Sequence, residues 1–282
     1  MKNLLLAENA FYLPLFLVPA HMLLRYSYQK LVTHIFRNKK TAHKISESSF
    51  YCLQYLVLTI IATTILQTND VHWFNLESLY VEKLHTSFQP LHAFYMMGEL
   101  SVYVSAFIFM FFESRKGYGD FIMNVIHHII TISIIAYAFP YKNYNYSVAV
   151  AHIHDFSDVF LEFSKTIFYL GYEKASQYTF LAFAVSFIIP RVFVFPTYLI
   201  TPYWNGKMDA TLRKMDPAID VLATYVPAER KVIPFALSGI YVLNCIWSVA
   251  IIKMAIGMFT KKREWGDIRE KSEDSQEKPK NE

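Results

Sequence analysis

Runs of about twenty apolar residues recur along this chain, and a backbone carried through hydrocarbon must satisfy its N–H and C=O groups internally, as a helix does. Taking ~20 residues to cross a ~30 Å core gives about seven spans, near residues 11–24, 50–66, 91–112, 121–139, 147–170, 178–200 and 233–259. The expected fold class is an all-α polytopic membrane protein. Composition agrees, since 54% hydrophobic and 17% aromatic content over 282 residues is high for a soluble chain and ordinary for a multi-pass one. The first run has no small-residue cleavage pattern behind it and is followed by basic residues, so it reads as a retained span rather than a signal peptide.

Charge sets the expected orientation. Arg25, Lys30, Arg37, Lys39, Lys40 and Lys44 lie between the first two spans with no acid before Glu47; Arg115 and Lys116 follow the third, and Lys261, Lys262 and Arg263 follow the seventh. Basic loops stay cytosolic, which puts the N-terminus in the lumen and the C-terminus in the cytosol. In the long 201–232 connection Asp209, Asp216, Asp220 and Glu229 offset the basic residues, and Trp73 and Trp204 fall near lumenal span ends, where aromatic belts form.

A net charge of +4, grouped in loops rather than in a stripe with interleaved aromatics, excludes nucleic acid as a partner. Only Cys52 and Cys245 are present, which supports neither a disulfide framework nor a cysteine metal site; both are expected as small core residues. From Arg263 the chain is charged and polar, a disordered tail. It ends Lys278-Pro279-Lys280-Asn281-Glu282, which reads either as a dilysine retrieval signal to the endoplasmic reticulum or as a solvated lysine-rich end. Asn145-Tyr146-Ser147 fits a glycosylation sequon, but it lies too close to the membrane surface to be expected in use.

Two polar clusters interrupt the apolar background: Ile126-His127-His128-Ile129 and His152-Ile153-His154-Asp155-Phe156-Ser157-Asp158. An ionisable side chain at bilayer depth costs at least roughly 2.5 kcal/mol on insertion scales, so such clusters point to a polar interior and a function. At 100° per residue the second cluster puts His152, His154, Asp155, Asp158, Glu162 and Lys165 on one side of a helix, with Val150, Ile153, Phe156, Phe160, Leu161 and Phe163 opposite. Counting 1.5 Å per residue, His127 lies roughly 9 Å from the cytosolic face and Asp155 and Asp158 roughly 13 to 18 Å from it. The short 140–146 connection predicts that the two helices are antiparallel neighbours, presenting two imidazoles and two carboxylates to one cavity.

Such a set supports two chemistries. Histidine acts as base or nucleophile near neutral pH, and a carboxylate behind it fixes its tautomer, which is equipment for acyl transfer. Two histidines and two aspartates also satisfy a zinc or iron site able to hydrolyse an amide. Spacing does not decide between them, and adjacent histidines project 100° apart, so both need not face the cavity. His152 reads as a hydrogen-bonded structural histidine. Arg191, inside the sixth span, needs a carboxylate partner and reads as a counter-charge or a substrate contact. Pro190 and Pro196 are expected to bend that span and release carbonyls toward the cavity.

Arg115-Lys116, Ile126-His127-His128, the run His154-Asp155-Phe156-Ser157-Asp158-Val159-Phe160-Leu161-Glu162-Phe163-Ser164-Lys165, Tyr169, Gly171 and Arg191-Val192-Phe193-Val194-Phe195-Pro196 stand in a recognisable order and spacing. In them the chain resembles the ceramide synthase (longevity-assurance) branch of the TLC-domain family. Lys44-Ile45-Ser46-Glu47-Ser48-Ser49-Phe50-Tyr51 resembles that family's entry segment without its Trp-Arg pair.

The resemblance implies about six helices around a lipid-sized chamber plus one N-terminal helix: a first span and basic linker in 1–42, a catalytic domain in 43–262 and the tail in 263–282. It implies an enzyme of the endoplasmic reticulum membrane that joins a fatty acyl group from acyl-CoA to the amine of a sphingoid base. His127 becomes the acyl acceptor or principal base, with His128 beside it. Asp155 and Asp158 orient imidazole and help take the ammonium proton, while His154, Glu162 and Arg191 face the substrate. No metal and no organic cofactor is implied, acyl-CoA being a substrate; the partners are acyl-CoA, a sphingoid base and membrane lipids, and a homodimer is compatible. In the family the lumenal connection before the last span influences acyl length, but the 201–232 connection is too long here to give one. The alternatives are a metal-dependent, ceramidase-like amide hydrolase and a non-enzymatic TLC-domain protein.

Overall fold

Helix follows the apolar runs and extends well past their ends. The computed structural model describes residues 10–36, 38–80, 90–112, 120–139, 144–218 and 229–260. Helix α1 (Leu13–Ile35) begins with Pro14 in its first turn. Helix α2 (Lys39–Thr68) begins at Asn38, whose Oδ1 accepts from the N–H groups of Lys40 and Thr41 at 3.1 and 3.2 Å. The first two spans are thus longer than expected, and Arg25, Lys30, Lys39, Lys40 and Lys44 sit on helix rather than in a loop. Long basic side chains permit this, because their stems pack while their heads find partners. Arg25 is buried: its Nη1 donates to Tyr51 Oη at 2.6 Å, and its guanidinium lies 4.6 and 4.1 Å from the ring centres of Tyr51 and Phe109.

Next come α3 (Leu76–Tyr80), α4 (Pro90–Phe112), α5 (Phe121–Ala138) and α6 (Tyr144–Tyr169). At the end of α6, Gly171 takes φ 91°; its N–H reaches Phe168 O and that of Tyr172 reaches Ile167 O, at 2.9 and 3.0 Å. This Schellman closure needs a residue free to adopt positive φ, and it folds α7 (Glu173–Ile188) straight back onto α6. Helix α7 continues as a π-helix (Ile189–Ile200) and then α8 (Thr201–Trp204). Both Pro190 and Pro196 fall in or beside the wider winding, where the Thr201 N–H reaches back five residues to Pro196 O. Proline crowds the carbonyl four residues earlier, and the π register accommodates it. The carbonyls of Pro196 and Leu199 accept from the hydroxyls of Thr201 and Tyr146. Helices α9 (Lys207–Met215) and α10 (Glu229–Thr260) complete the order.

The protein is an all-α, multi-pass membrane protein. Among the described residues five segments are long and apolar enough to cross a bilayer: α2, α4, α5, the Glu173–Trp204 unit and α10. Helices α1 and α6 match them in length, at 23 and 26 residues, but are more polar. Large apolar side chains such as Ile122, Val185 and Phe235 are exposed, as a lipid-facing surface requires.

Helix α6 is the centre of the packing, held mainly by α2 and α7, while α1 lies outside against α2 and α4. Helix α5 packs on α4 and α10. The expected pairing of α5 with α6 is not formed; the two make no substantial direct contact and face each other across a cavity. A short connection makes two helices neighbours only where nothing has to be enclosed between them.

At one end α3, α8 and α9 form a cap. Tyr80 stacks on Tyr146 at 5.7 Å, and Tyr203 meets both rings edge-on at 6.1 and 5.4 Å; burial pushes the Tyr80 hydroxyl pKa up. Asn145, the sequon asparagine, is wholly buried there, accepting from His92 Nε2 at 3.1 Å and donating to Ser78 O at 3.3 Å. Trp73 packs on His152 and Trp204 donates to Ser238 Oγ at 3.3 Å. Cys52 and Cys245 are free and half-buried rather than core residues. Arg115, Lys116, residues 219–228 and everything after Thr260, including the tail and its terminal lysines, lie outside the described residues.

Candidate functional site

A cavity lies between α4, α5, α6 and α10. The end away from the cap is polar, with Glu99, Tyr103, His127, Thr131 and His154; toward the cap it is walled by Ile134, Ile135, Ala138, Val150, Ile233 and Leu237 and ends at Tyr146. A lining of this kind suits an alkyl chain with a reactive group at its polar end.

His127, on α5, meets the rings of Trp247 at 5.5 Å, His128 at 5.7 Å and Tyr103 at 6.1 Å. Its buried Nδ1 has no hydrogen-bond partner among the described residues. His128 projects differently, as the 100° step requires. Its Nδ1 lies 2.8 Å from Asn124 O, and its ring meets Tyr103 and Phe107 of α4 rather than the cavity. A carbonyl only accepts, so His128 Nδ1 carries the hydrogen and the neutral ring keeps its lone pair on Nε2.

His154 shows the same device: Nδ1 donates to Val150 O at 2.7 Å, which leaves Nε2 to accept from Asn244 Nδ2 at 3.3 Å. Its ring stands edge-on to Phe195 at 5.1 Å. Asp155 points instead toward α4, where Tyr95 Oη donates to Oδ2 at 3.5 Å and the Glu99 carboxyl lies alongside. Asp158 is held by Arg191, whose Nη2 lies 2.5 Å from Asp158 Oδ1, Ser157 Oγ and His154 O alike. Arg191 is buried with its guanidinium 4.3 Å from the Phe187 ring centre, so its polar contacts are within the protein. Glu162 is buried and pairs with Lys165 at 2.7 Å.

His127 and His154 therefore share the cavity, while Asp155 stands behind the wall and Asp158 lies with Arg191 on the π-helix side. The expected single polar face of α6 is not what forms. His152 turns to Thr63 of α2 at 3.0 Å, a structural contact, whereas His154 turns to α10. A helix with several packed neighbours distributes its polar groups among them. Sequence reasoning passed over Glu99, Tyr103 and Asn244. Glu99 carried a usable signal, an acid inside the apolar 91–112 run, which the cost of buried charge marks as surely as the histidine pair.

Among the described residues no group of three or more His, Cys, Asp or Glu side chains is arranged to hold a metal ion. His127 thus stands with an unclaimed ring nitrogen at the head of a largely apolar chamber. A profile of the TLC domain matches residues 44–253, which hold every candidate site residue.

The chain belongs to the TLC-domain family.

Among TLC-domain relatives it is 27% identical over 248 residues to ASC1-like protein 1 of Oryza sativa subsp. japonica, covering 85% of this chain and 76% of that protein. It is 26% identical over 247 residues to ceramide synthase 1 LOH3 of Arabidopsis thaliana, covering 85% and 77%. Sphingosine N-acyltransferase lag1 of Schizosaccharomyces pombe is 25% identical over 163 residues, 58% of this chain and 41% of that protein. Within the TLC-domain family the similarity runs to the branch that the motifs indicated.

Proposed function

We propose that this TLC-domain protein is a ceramide synthase of the endoplasmic reticulum membrane, transferring a fatty acyl group from acyl-CoA to the amine of a sphingoid base. The observation that carries the reading is His127, its Nδ1 unclaimed, at the polar end of an apolar-walled cavity. The names of the relatives point to ceramide as product and to a sphingoid base as acyl acceptor, and acyl-CoA is the donor that the family resemblance implies. Residues 43–262 form the catalytic unit and α1 is an accessory helix.

The acyl chain lies toward the cap with its thioester carbonyl near His127. Imidazole either takes the acyl group itself or acts as base while the amine attacks. The C–S bond breaks, the thiolate leaves with a proton as CoA thiol, and the amide C–N bond forms. Asp155 acts from behind the wall through its carboxyl neighbour. Asp158, fixed by Arg191, keeps the α6 segment that carries His154 in place, and Glu162 with Lys165 lines the approach used by the polar headgroup. In this orientation the N-terminus is lumenal, the C-terminus cytosolic and the acyl-CoA headgroup arrives from the cytosol.

The test is direct. Membranes carrying the full chain, given labelled acyl-CoA and a long-chain base, form labelled ceramide, and His127→Ala forms none while inserting and melting normally. A folded wild type that forms no ceramide overturns the reading, and activity abolished by chelators favours the metal-dependent hydrolase. An added acyl mass after acyl-CoA alone, absent in His127→Ala, marks a covalent step.

A further inference from the structure

Glu99 has no fractional exposure; the Asp155 carboxyl and the Tyr95 hydroxyl lie beside it, and among the described residues no cationic group pairs with either of its oxygens. A buried polar group left incompletely paired costs about 1–3 kcal/mol, and more when charged, so a buried carboxyl pair without a cation implies one that completes it. Glu99 lines the cavity with His127 and His154. The other acids nearby are committed elsewhere: Asp158 to Arg191, Glu162 to Lys165, and Asp155 behind the wall with Tyr95. Among the described residues Glu99 is the one acid on that wall.

We propose that Glu99 is the residue that receives the ammonium group of the amine substrate and takes its proton; this rests on the acyltransferase reading above. A primary ammonium brings three N–H donors and a positive charge to a buried carboxyl pair that has no cation of its own, the complement that the site lacks. One proton passes from nitrogen to a Glu99 oxygen, leaving a neutral amine and a carboxylic acid. The amine lone pair forms the C–N bond to the acyl carbonyl carbon, the bond from that carbon to sulfur or to imidazole breaks, and the second nitrogen proton goes by way of His127 to the leaving group. The Glu99 acid hydrogen has an acceptor beside it in the Asp155 carboxyl, which holds the proton until it returns to solvent. An alcohol of equal length brings no charge to this site, so Glu99 also selects amines.

Glu99→Gln keeps the shape and removes the proton acceptor. Ceramide formation by the full chain in membranes is expected to fall at least about tenfold near neutral pH. The deficit should shrink as the pH is raised toward the amine's own range, because solution then delivers the neutral amine, and Glu99→Asp should recover part of the rate. A Glu99→Gln rate within about twofold of wild type, or a loss equally deep at both pH values in protein of unchanged melting temperature, overturns the proposal. If wild type itself makes no ceramide, the acyltransferase reading falls and this falls with it; an active wild type beside an unimpaired Glu99→Gln removes this proposal alone.

Discussion

His127 and His128 are adjacent in sequence and differ in what holds them. The Asn124 carbonyl fixes the tautomer and ring plane of His128, whereas His127 is packed by aromatic edges and has an unclaimed nitrogen. If His127 carries the chemistry and His128 supports its ring, their truncations should differ in depth. His127→Ala is expected to lower ceramide formation by about 10²–10⁴ or more, and His128→Ala by about tenfold, both read in the same membrane assay. Equal losses would assign them equal parts. The pair was legible from sequence because two imidazoles in an apolar run break the pattern twice. Glu99 breaks it only once, and whether Asp155 faces the cavity or its back wall depends on how α4 packs against α6, which no single-helix projection contains.

At the level of elements, α6 and the π-helix are joined by one buried guanidinium. Arg191 Nη2 serves a carboxylate, a hydroxyl and a backbone carbonyl at once, so removing it leaves Asp158 without its counter-charge in a largely apolar setting. Arg191→Met is expected to destabilise the fold by about 3–5 kcal/mol, and the Asp158→Asn/Arg191→Met double variant to recover most of that, as measured by denaturation in detergent. Tyr146→Phe, which removes the hydroxyl held by the Leu199 carbonyl, should cost about 1 kcal/mol and loosen the cap. The centres of the spans were legible because hydrocarbon demands apolar length. Their ends were not: α1 and α2 run on through Arg25, Lys39 and Lys44, where helix is favoured by partners rather than by hydropathy. The π winding was hidden too, since Pro190 and Pro196 signal an interruption without saying whether the helix bends or widens.

For the whole molecule the open quantity is which end faces the cytosol, and charge makes the prediction. The cap of α3, α8 and α9 carries acids against its bases, and its Lys214–Glu77 pair at 2.6 Å is solvent-exposed. Glu77 holds the Lys214 ammonium above the usual lysine range, so any stability from the pair is present across neutral pH and lost only as the pH rises through that range. An exposed pair of this kind contributes little, which makes Lys214 a benign position for a probe. Lys39, exposed at the start of α2, marks the opposite end. With Cys52 and Cys245 replaced, a cysteine at position 39 should react with a membrane-impermeant maleimide on sealed endoplasmic reticulum vesicles, and one at position 214 only after permeabilisation. His127 sits near the end of α5 that lies away from the cap, so this orientation lets a charged CoA headgroup stay in the cytosol while its chain runs toward Tyr146. The reverse labelling pattern would require the nucleotide to reach the site from the lumen, and the cytosolic delivery of the acyl donor would have to be abandoned even if ceramide is made.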